Sequence, residues 1–321
     1  MRRLLQWLAA AIDLLLSPFT LLAALWLRLV RRIGVHRMKI SRAVFRGVGV
    51  FPIHDHYYEP LFQPRHLTRS LREVRALPGL DLDLPSQLAW LERLRFEEEI
   101  AAFTRRGAAA DNAFSFDNAS FGPGDAEILY AMIRHVRPRR VFEIGSGHST
   151  RVVAAALRRN RADDPTRPCE HVCIDPYEMP WLESLGVQVV RERVERLGHD
   201  RFAALERDDV LFIDSSHVIR PQGDVVFEYL ELLPRLASGV LVHVHDITTP
   251  RDVPDDWIHE RVRFWNEQYL LEAFLCMNRG FRVLAALNHL KHEHFEALAA
   301  ACPVLRDEPW HEPGSFWMAR V

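Results

Sequence analysis

Residues 141–150 read Val-Phe-Glu-Ile-Gly-Ser-Gly-His-Ser-Thr, and no other stretch limits the possible folds as much. Val141 to Ile144 is a short apolar run that reads as a buried strand. Gly145 and Gly147 follow, and Ser149 and Thr150 open a helical stretch, Arg151 to Arg159. Strand, glycine turn and helix in that order bring backbone up to a nucleotide-like ligand in doubly wound α/β domains. Glycine suits the turn because it tolerates positive φ and has no Cβ to hold a ligand off. The third glycine of a dinucleotide fingerprint is missing, since Thr150 stands there, and an acid, Glu143, lies within the strand. The pattern favours an adenosine ligand other than a dinucleotide.

Downstream, strand and helix alternate. His171 to Ile174, Val187 to Val190, Asp209 to Ile213 and Val240 to Val244 read as further strands. Glu228 to Leu236 and Trp265 to Met277 read as helices, and Phe281 to Ala286 and Ser315 to Val321 as the last two strands. Such alternation predicts a mostly parallel sheet covered on both faces, with ligands at the carboxyl ends of its strands. Glu143 to Gly147, Asp175, Asp214 to His217 and His245-Asp246 all fall at those ends. Asp175 ends the second strand, where such folds hold ribose hydroxyls; the competing reading is a carboxylate capping the turn into Pro176.

Ahead of this core, residues 66–106 read as helical and charged, with a stripe of Leu, Trp90 and Phe96, and suggest a helical cap. Asp125 reads as the N-cap of a helix carrying Leu129, Met132, Ile133 and Val136 on one face. His54, Asp55 and His56 are adjacent, so in an extended chain they point apart, and a packed loop is favoured over a metal site. The cysteines, Cys169, Cys173, Cys276 and Cys302, fit no zinc spacing and read as reduced thiols in the cytosol. A net charge of −2 over 321 residues gives no reason to expect nucleic acid as a partner.

The N-terminus differs. Leu4 to Leu27 is mostly apolar and long enough to span a bilayer, but Asp13 and Pro18 interrupt it. A transmembrane helix, a kinked interfacial pair and a helix packed on the domain all remain open for residues 4–30. Arg28, Arg31, Arg32, Arg37 and Lys39 stand where a signal peptide would need small residues. They also outweigh Arg2 and Arg3, which places the bulk of the chain in the cytoplasm, at the inner membrane face. Three segments follow: 1–47 hydrophobic and basic, 48–115 linker and cap, and 116–321 the α/β domain.

The motifs Glu-Ile-Gly-Ser-Gly-His-Ser-Thr, Ile174-Asp175-Pro176-Tyr177, Leu-Phe-Ile-Asp-Ser-Ser-His-Val at 211–218, Gly223-Asp224-Val225 and Val-His-Val-His-Asp-Ile at 242–247 occur in order. With Trp265-Asn266-Glu267-Gln268-Tyr269, Gly314-Ser315-Phe316-Trp317 and the loop at His56-Tyr57-Tyr58-Glu59-Pro60, they make the chain resemble a bacterial branch of class I S-adenosylmethionine-dependent methyltransferases, often called family 24. The resemblance implies a Rossmann-like α/β fold, with a seven-stranded, mostly parallel sheet whose last strand is antiparallel. It implies S-adenosylmethionine as donor, held by Glu143, Gly145, Ser146, Gly147, Ser149, Asp175 and Asp214. Gly145 and Gly147 would approach the methionine part, Asp175 would hold the ribose, and the loop after Val190 would flank the adenine.

Methyl transfer from a sulfonium requires alignment of the acceptor and removal of its proton. His217, three residues beyond Asp214, is the expected base toward a hydroxyl because histidine titrates near neutrality. Asp214 and Asp246 end neighbouring strands and could share Mg²⁺. That is similar to metal-dependent O-methyltransferases, although Ile247 stands where those carry a second Asp or Asn. The expected activity is O-methylation of a small hydroxylated acceptor such as a sugar, glycan or other metabolite. A non-catalytic donor-binding scaffold and a nicotinamide-dependent oxidoreductase are the competing functions. His243, within its strand, reads as a core histidine.

Overall fold

The sheet has seven strands in the order β3-β2-β1-β4-β5-β7-β6. They are β1 (Arg140–Ile144), β2 (Glu170–Ile174), β3 (Gln188–Val190), β4 (Val210–Ile213), β5 (Leu241–Val244), β6 (Phe281–Ala286) and β7 (Phe316–Arg320). β1 to β5 run parallel, while β7 lies antiparallel to both β5 and β6. This is the expected class I methyltransferase topology. The computed structural model describes every residue except Met1, Phe62, Ala108, Ala110, Asp111 and Glu178, and the side chains of Arg2 and Arg3. Contacts divide the chain into two units, Met1–Thr68 and Arg69–Val321.

In the larger unit, strand alternation sends side chains to two cores. Val141, Val210, Phe212, Leu241 and Trp317 face one, and Phe142, Ile144, Leu211, Ile213, Val242 and Val244 face the other. Near-continuous apolar strands are what a sheet buried on both faces requires.

The cap is shorter than the sequence implies. Only α3 (Leu84–Leu91) and α4 (Glu97–Ile100) are helical between 69 and 106, and they contribute Leu91 and Ile100 to the first core. Pro78, Gly79 and the acids at 81 and 83 break the preceding stretch, and a short helix does not repay its nucleation. That stretch is held instead by Arg75, which bonds Glu272 and the Arg251 carbonyl.

α5 spans Asp125–Val136 and α6 His148–Asp163. Asp125 is the first residue of α5 rather than its N-cap, which is Gly124. The Asp125 carboxylate turns away from the helix and accepts from the amides of Gly314 and Ser315. α7 (Val194–Leu197) follows β3, and α8 (Asp224–Phe227) follows β4. The single helix expected over 228–236 is a π turn at Glu228–Leu232 and a 3₁₀ turn at Leu233–Arg235; Pro234, early in the second turn, has no N–H to continue the first. α9 (Asp255–His259) and α10 (Glu267–Leu275) follow β5.

In the smaller unit, α1 is one helix from Arg2 to Ile33 that continues through Pro18. The expected break does not occur. Proline removes the bond to the carbonyl four residues earlier, Leu14, and Ser17 Oγ donates to that carbonyl at 2.9 Å. Leu4–Ile33 has a mean hydropathy of 2.0 in its most apolar window, and no part of that window is buried. Gly34, at φ +97°, turns the chain toward α2 (Lys39–Val48). The His54-Asp55-His56 loop forms no metal-type cluster among the described residues; Asp55 pairs with Arg65 and His66.

Candidate active site

The two glycines have different reasons. Gly145 has φ +81°, and a Cβ there would sit 1.9 Å from the carbonyl oxygen of Asp214. Its amide donates to the Ile174 carbonyl at 3.0 Å, so it stitches β1, β2 and β4 together at their tips. Gly147 is extended, and a Cβ built on it meets nothing within 4 Å. What Gly147 leaves is space in front of the turn.

Beside the turn lies a cleft of about 250 Å³ lined by Gly145, Ser146, Asp175, Val194, Asp214 and Asp224, among others; Gly147, expected at the donor, follows Ser146 but does not itself line it. The loop after Val190 contributes Arg193, where the adenine was expected, and the first turn of α7 contributes Glu195. Asp175 accepts from the amides of Ser146 at 3.0 Å and Tyr177 at 2.8 Å. Asp175 therefore caps the turn and also lines the cleft. Each carboxylate oxygen keeps a lone pair for a hydroxyl donor. The Ser146 hydroxyl is buried with no partner. An orphaned hydroxyl, an open approach over Gly147 and a carboxylate at the second strand end fit an adenosyl amino acid.

Glu143 and Ser149 do not face this cleft. Glu143 is fully buried, on the opposite side of β1 from Phe142 and Ile144. It accepts from Ser149 Oγ at 3.2 Å and Thr150 Oγ1 at 3.0 Å, and it pairs with His171. Its role is to lock the first turn of α6 to β1. Position 143 is odd in a strand whose even members turn to the cleft side, so alternation was the signal that could have shown this.

Across the cleft, Asp214, His217 and Asp246 come together. His217 Nε2 lies 3.2 Å from Asp214 and 3.6 Å from Asp246, and Nδ1 is 2.8 Å from Glu267. His217 and Asp246 adopt left-handed backbone at φ 59° and 58°. Such conformations in non-glycine residues cost about 1–3 kcal/mol each and cluster at functional sites. Glu267 is fixed in turn by the Tyr229 hydroxyl at 2.9 Å, and Trp265 packs against the His217 ring, tilted by 42°, at 4.3 Å between centroids.

Sequence alone placed His245 at a strand end without giving it a role, and did not indicate Asp125 as a site residue. His245 Nδ1 is 3.6 Å from both Asp214 and Asp246, and Nε2 is 3.6 Å from Asp125. His243 is a core residue as expected: it stacks on Phe212 at 4.1 Å, bonds Ser315, and burial keeps it neutral.

The carboxylates set the charge states. Burial opposes a charged His217, but Asp214 and Glu267 outweigh it and push its pKa up to about 10. The near-neutral titration expected for His217 is therefore not met, and it holds its proton at pH 7. Burial likewise opposes a charged His245, while Asp246, Asp214 and Asp125 push it well above the usual range. The two histidines hold Asp214 well below the usual carboxylate range against burial, whereas burial raises Asp246. Burial and the nearby Glu267 carboxylate push Glu228 well above the usual carboxylate range.

The donor atoms of Asp214, His217 and Asp246 lie within 4.8 Å of one another. Asp214 and Asp246 keep a third and a quarter of their side chains accessible. Two accessible carboxylates fit a hard divalent cation that retains water.

Residues 142–247 match the family model for a methyltransferase domain. An uncharacterized protein of Archaeoglobus fulgidus is 27% identical over 150 residues, which takes in 44% of this chain and 66% of the relative, just short of two thirds of that protein's length. The family match marks a methyltransferase domain in this chain, and the strand order and the glycine turn support a class I, S-adenosylmethionine-dependent one.

Proposed function

We propose that the domain methylates a hydroxyl on a small acceptor such as a sugar, a glycan or another metabolite. The observation that carries this reading is Asp214, which lines the donor cleft and also pairs with His217. A donor methyl over the glycine turn and an acceptor hydroxyl at His217 would thus face each other across one carboxylate. In-line displacement at the sulfonium needs that alignment.

Glu267 holds His217 Nδ1 and leaves Nε2 toward Asp214 and Asp246. A fixed ring with one nitrogen aimed at the acceptor is the geometry of a general base. Neutralising Asp214 and Asp246 removes the charge that keeps the proton on Nε2. A divalent cation such as Mg²⁺ on those two carboxylates would supply that neutralisation and polarise the acceptor hydroxyl. The two left-handed residues hold these groups in place without the acceptor, so little reorganisation accompanies transfer.

We also place α1 in the membrane, with the methyltransferase domain at the cytoplasmic face. An exposed apolar helix of about 45 Å, at 1.5 Å per residue, followed by a run of basic residues supports that orientation. Transfer of labelled methyl from S-adenosylmethionine into bacterial extract fractions tests the activity. Label in an alkali-stable ether on a hydroxylated compound supports O-methylation, and label confined to amines or thiols overturns it. Full recovery of the chain in the soluble fraction without detergent overturns the membrane assignment.

A further inference from the structure

Between Leu14 and His54 the chain has no acidic residue, while residues 28–46 carry Arg28, Arg31, Arg32, Arg37, Lys39, Arg42 and Arg46. Among the described residues only Arg31 of these seven forms an ion pair, with Glu59. Three of them, Arg28, Arg31 and Arg32, sit at the C-terminal end of α1. With His54, His56 and Arg65 they line a cavity of about 720 Å³ whose acid is Asp55. Asp55 is already paired with Arg65 and His66. Two polar atoms, Arg31 Nε and His54 Nδ1, are buried there without a hydrogen-bond partner. Buried polar atoms without partners cost about 1–3 kcal/mol each, and Arg31 Nε can only donate, so the cavity favours an occupant that accepts from it.

α2 adds a second observation. At about 100° per residue, Ile40, Val44 and Val48 fall on one side, and Lys39, Arg42 and Arg46 on the other. Ile40, Val44 and Val48 are all exposed, and no residue of α2 is buried. A helix divided this way suits the interface of an anionic bilayer.

We propose that the cavity at the end of α1 binds the phosphate of an anionic membrane lipid, with α2 lying in the same interface. The proposal rests on the placement of α1 in the bilayer. The cavity volume suits a headgroup, and arginine forks match phosphate oxygens in pairs. The α1 apolar stretch ends at this cavity, so a lipid whose tails run beside α1 brings its phosphate to the cavity's depth.

The test uses the full chain in nanodiscs of phosphatidylcholine alone or mixed with phosphatidylglycerol, followed by native mass spectrometry of retained lipid. The expected result is phosphatidylglycerol retained at least tenfold over its share of the bilayer. Arg28→Gln/Arg32→Gln should reduce that enrichment to below threefold while the chain still enters the disc. Rising salt should weaken wild-type retention, which keeps the test open if the variant misfolds. Retention without headgroup preference, or unchanged in both the variant and high salt, overturns the proposal while leaving the placement of α1 intact. Inorganic phosphate competing as well as the lipid would assign the site to free phosphate and overturn the lipid reading. A chain that stays outside the disc overturns both.

Discussion

Two clusters that each pair a histidine with a carboxylate lie on this sheet and do opposite things. Glu143, His171 and Cys173 are buried at β1 and β2; Asp214, His217 and Asp246 meet at the tips of β4 and β5. In the first, Glu143 spends its oxygens on Ser149, Thr150 and His171, all inside the protein. Burial and the Glu143 charge push the Cys173 thiol up, so it stays protonated and inert. In the second, four carboxylates surround two histidines, and Asp214 and Asp246 keep access to solvent. A sealed, balanced cluster fastens a turn. An open one with surplus negative charge is ready for a cation, a proton or a substrate.

The largest effect should separate the clusters outright. His217→Ala is expected to reduce methyl transfer by about 10³-fold while S-adenosylhomocysteine affinity changes less than about threefold. Turnover within tenfold of wild type would remove His217 as the base.

Protonation gives the next test. His217 is raised above its unfolded value, so its contribution to stability is complete below pH 6.5 and is lost as pH rises through about 10. Without added metal, wild type should exceed His217→Gln by on the order of a few kcal/mol at pH 6. That gap should close by about pH 10. A gap that widens with pH would reverse the assignment of charge.

Glu143→Gln tests the sealed cluster. It should cost about 1–3 kcal/mol in urea unfolding and leave kcat near wild type once the protein is folded. Lost turnover at full stability would move Glu143 into the chemistry. Gly147→Ala should act the other way. Nothing crowds its Cβ, so stability should hold, while S-adenosylhomocysteine affinity should fall roughly tenfold, about 1.4 kcal/mol. Unchanged affinity would mean that the ligand does not pass over Gly147.

The sequence made the strand ends legible because each apolar run stops at a polar residue, and a parallel sheet aligns those stops. Gly145, Asp175, Asp214 and Asp246 were found this way. Glu143 was misplaced because motif position alone does not say which face of a strand a residue occupies. The roles of His245 and Asp125 were not recognised because Asp214 and Asp125 lie 31 and 120 positions from His245 along the chain, and only the fold brings them together. The charge on His217 was hidden for the same reason: Glu267 reaches it from α10. Pro18 leaves α1 unbroken because one hydroxyl, Ser17, compensates for the lost bond, which the sequence left open.

The central claim is that the cleft in front of Gly145 and Gly147 holds an adenosyl amino acid. Calorimetric titration of the full chain with S-adenosylhomocysteine tests it most directly. The account predicts saturable binding at one site per chain, weakened by Gly147→Ala and preserved in His217→Ala. No binding heat from a folded sample, together with measurable binding of a nicotinamide dinucleotide, would contradict it.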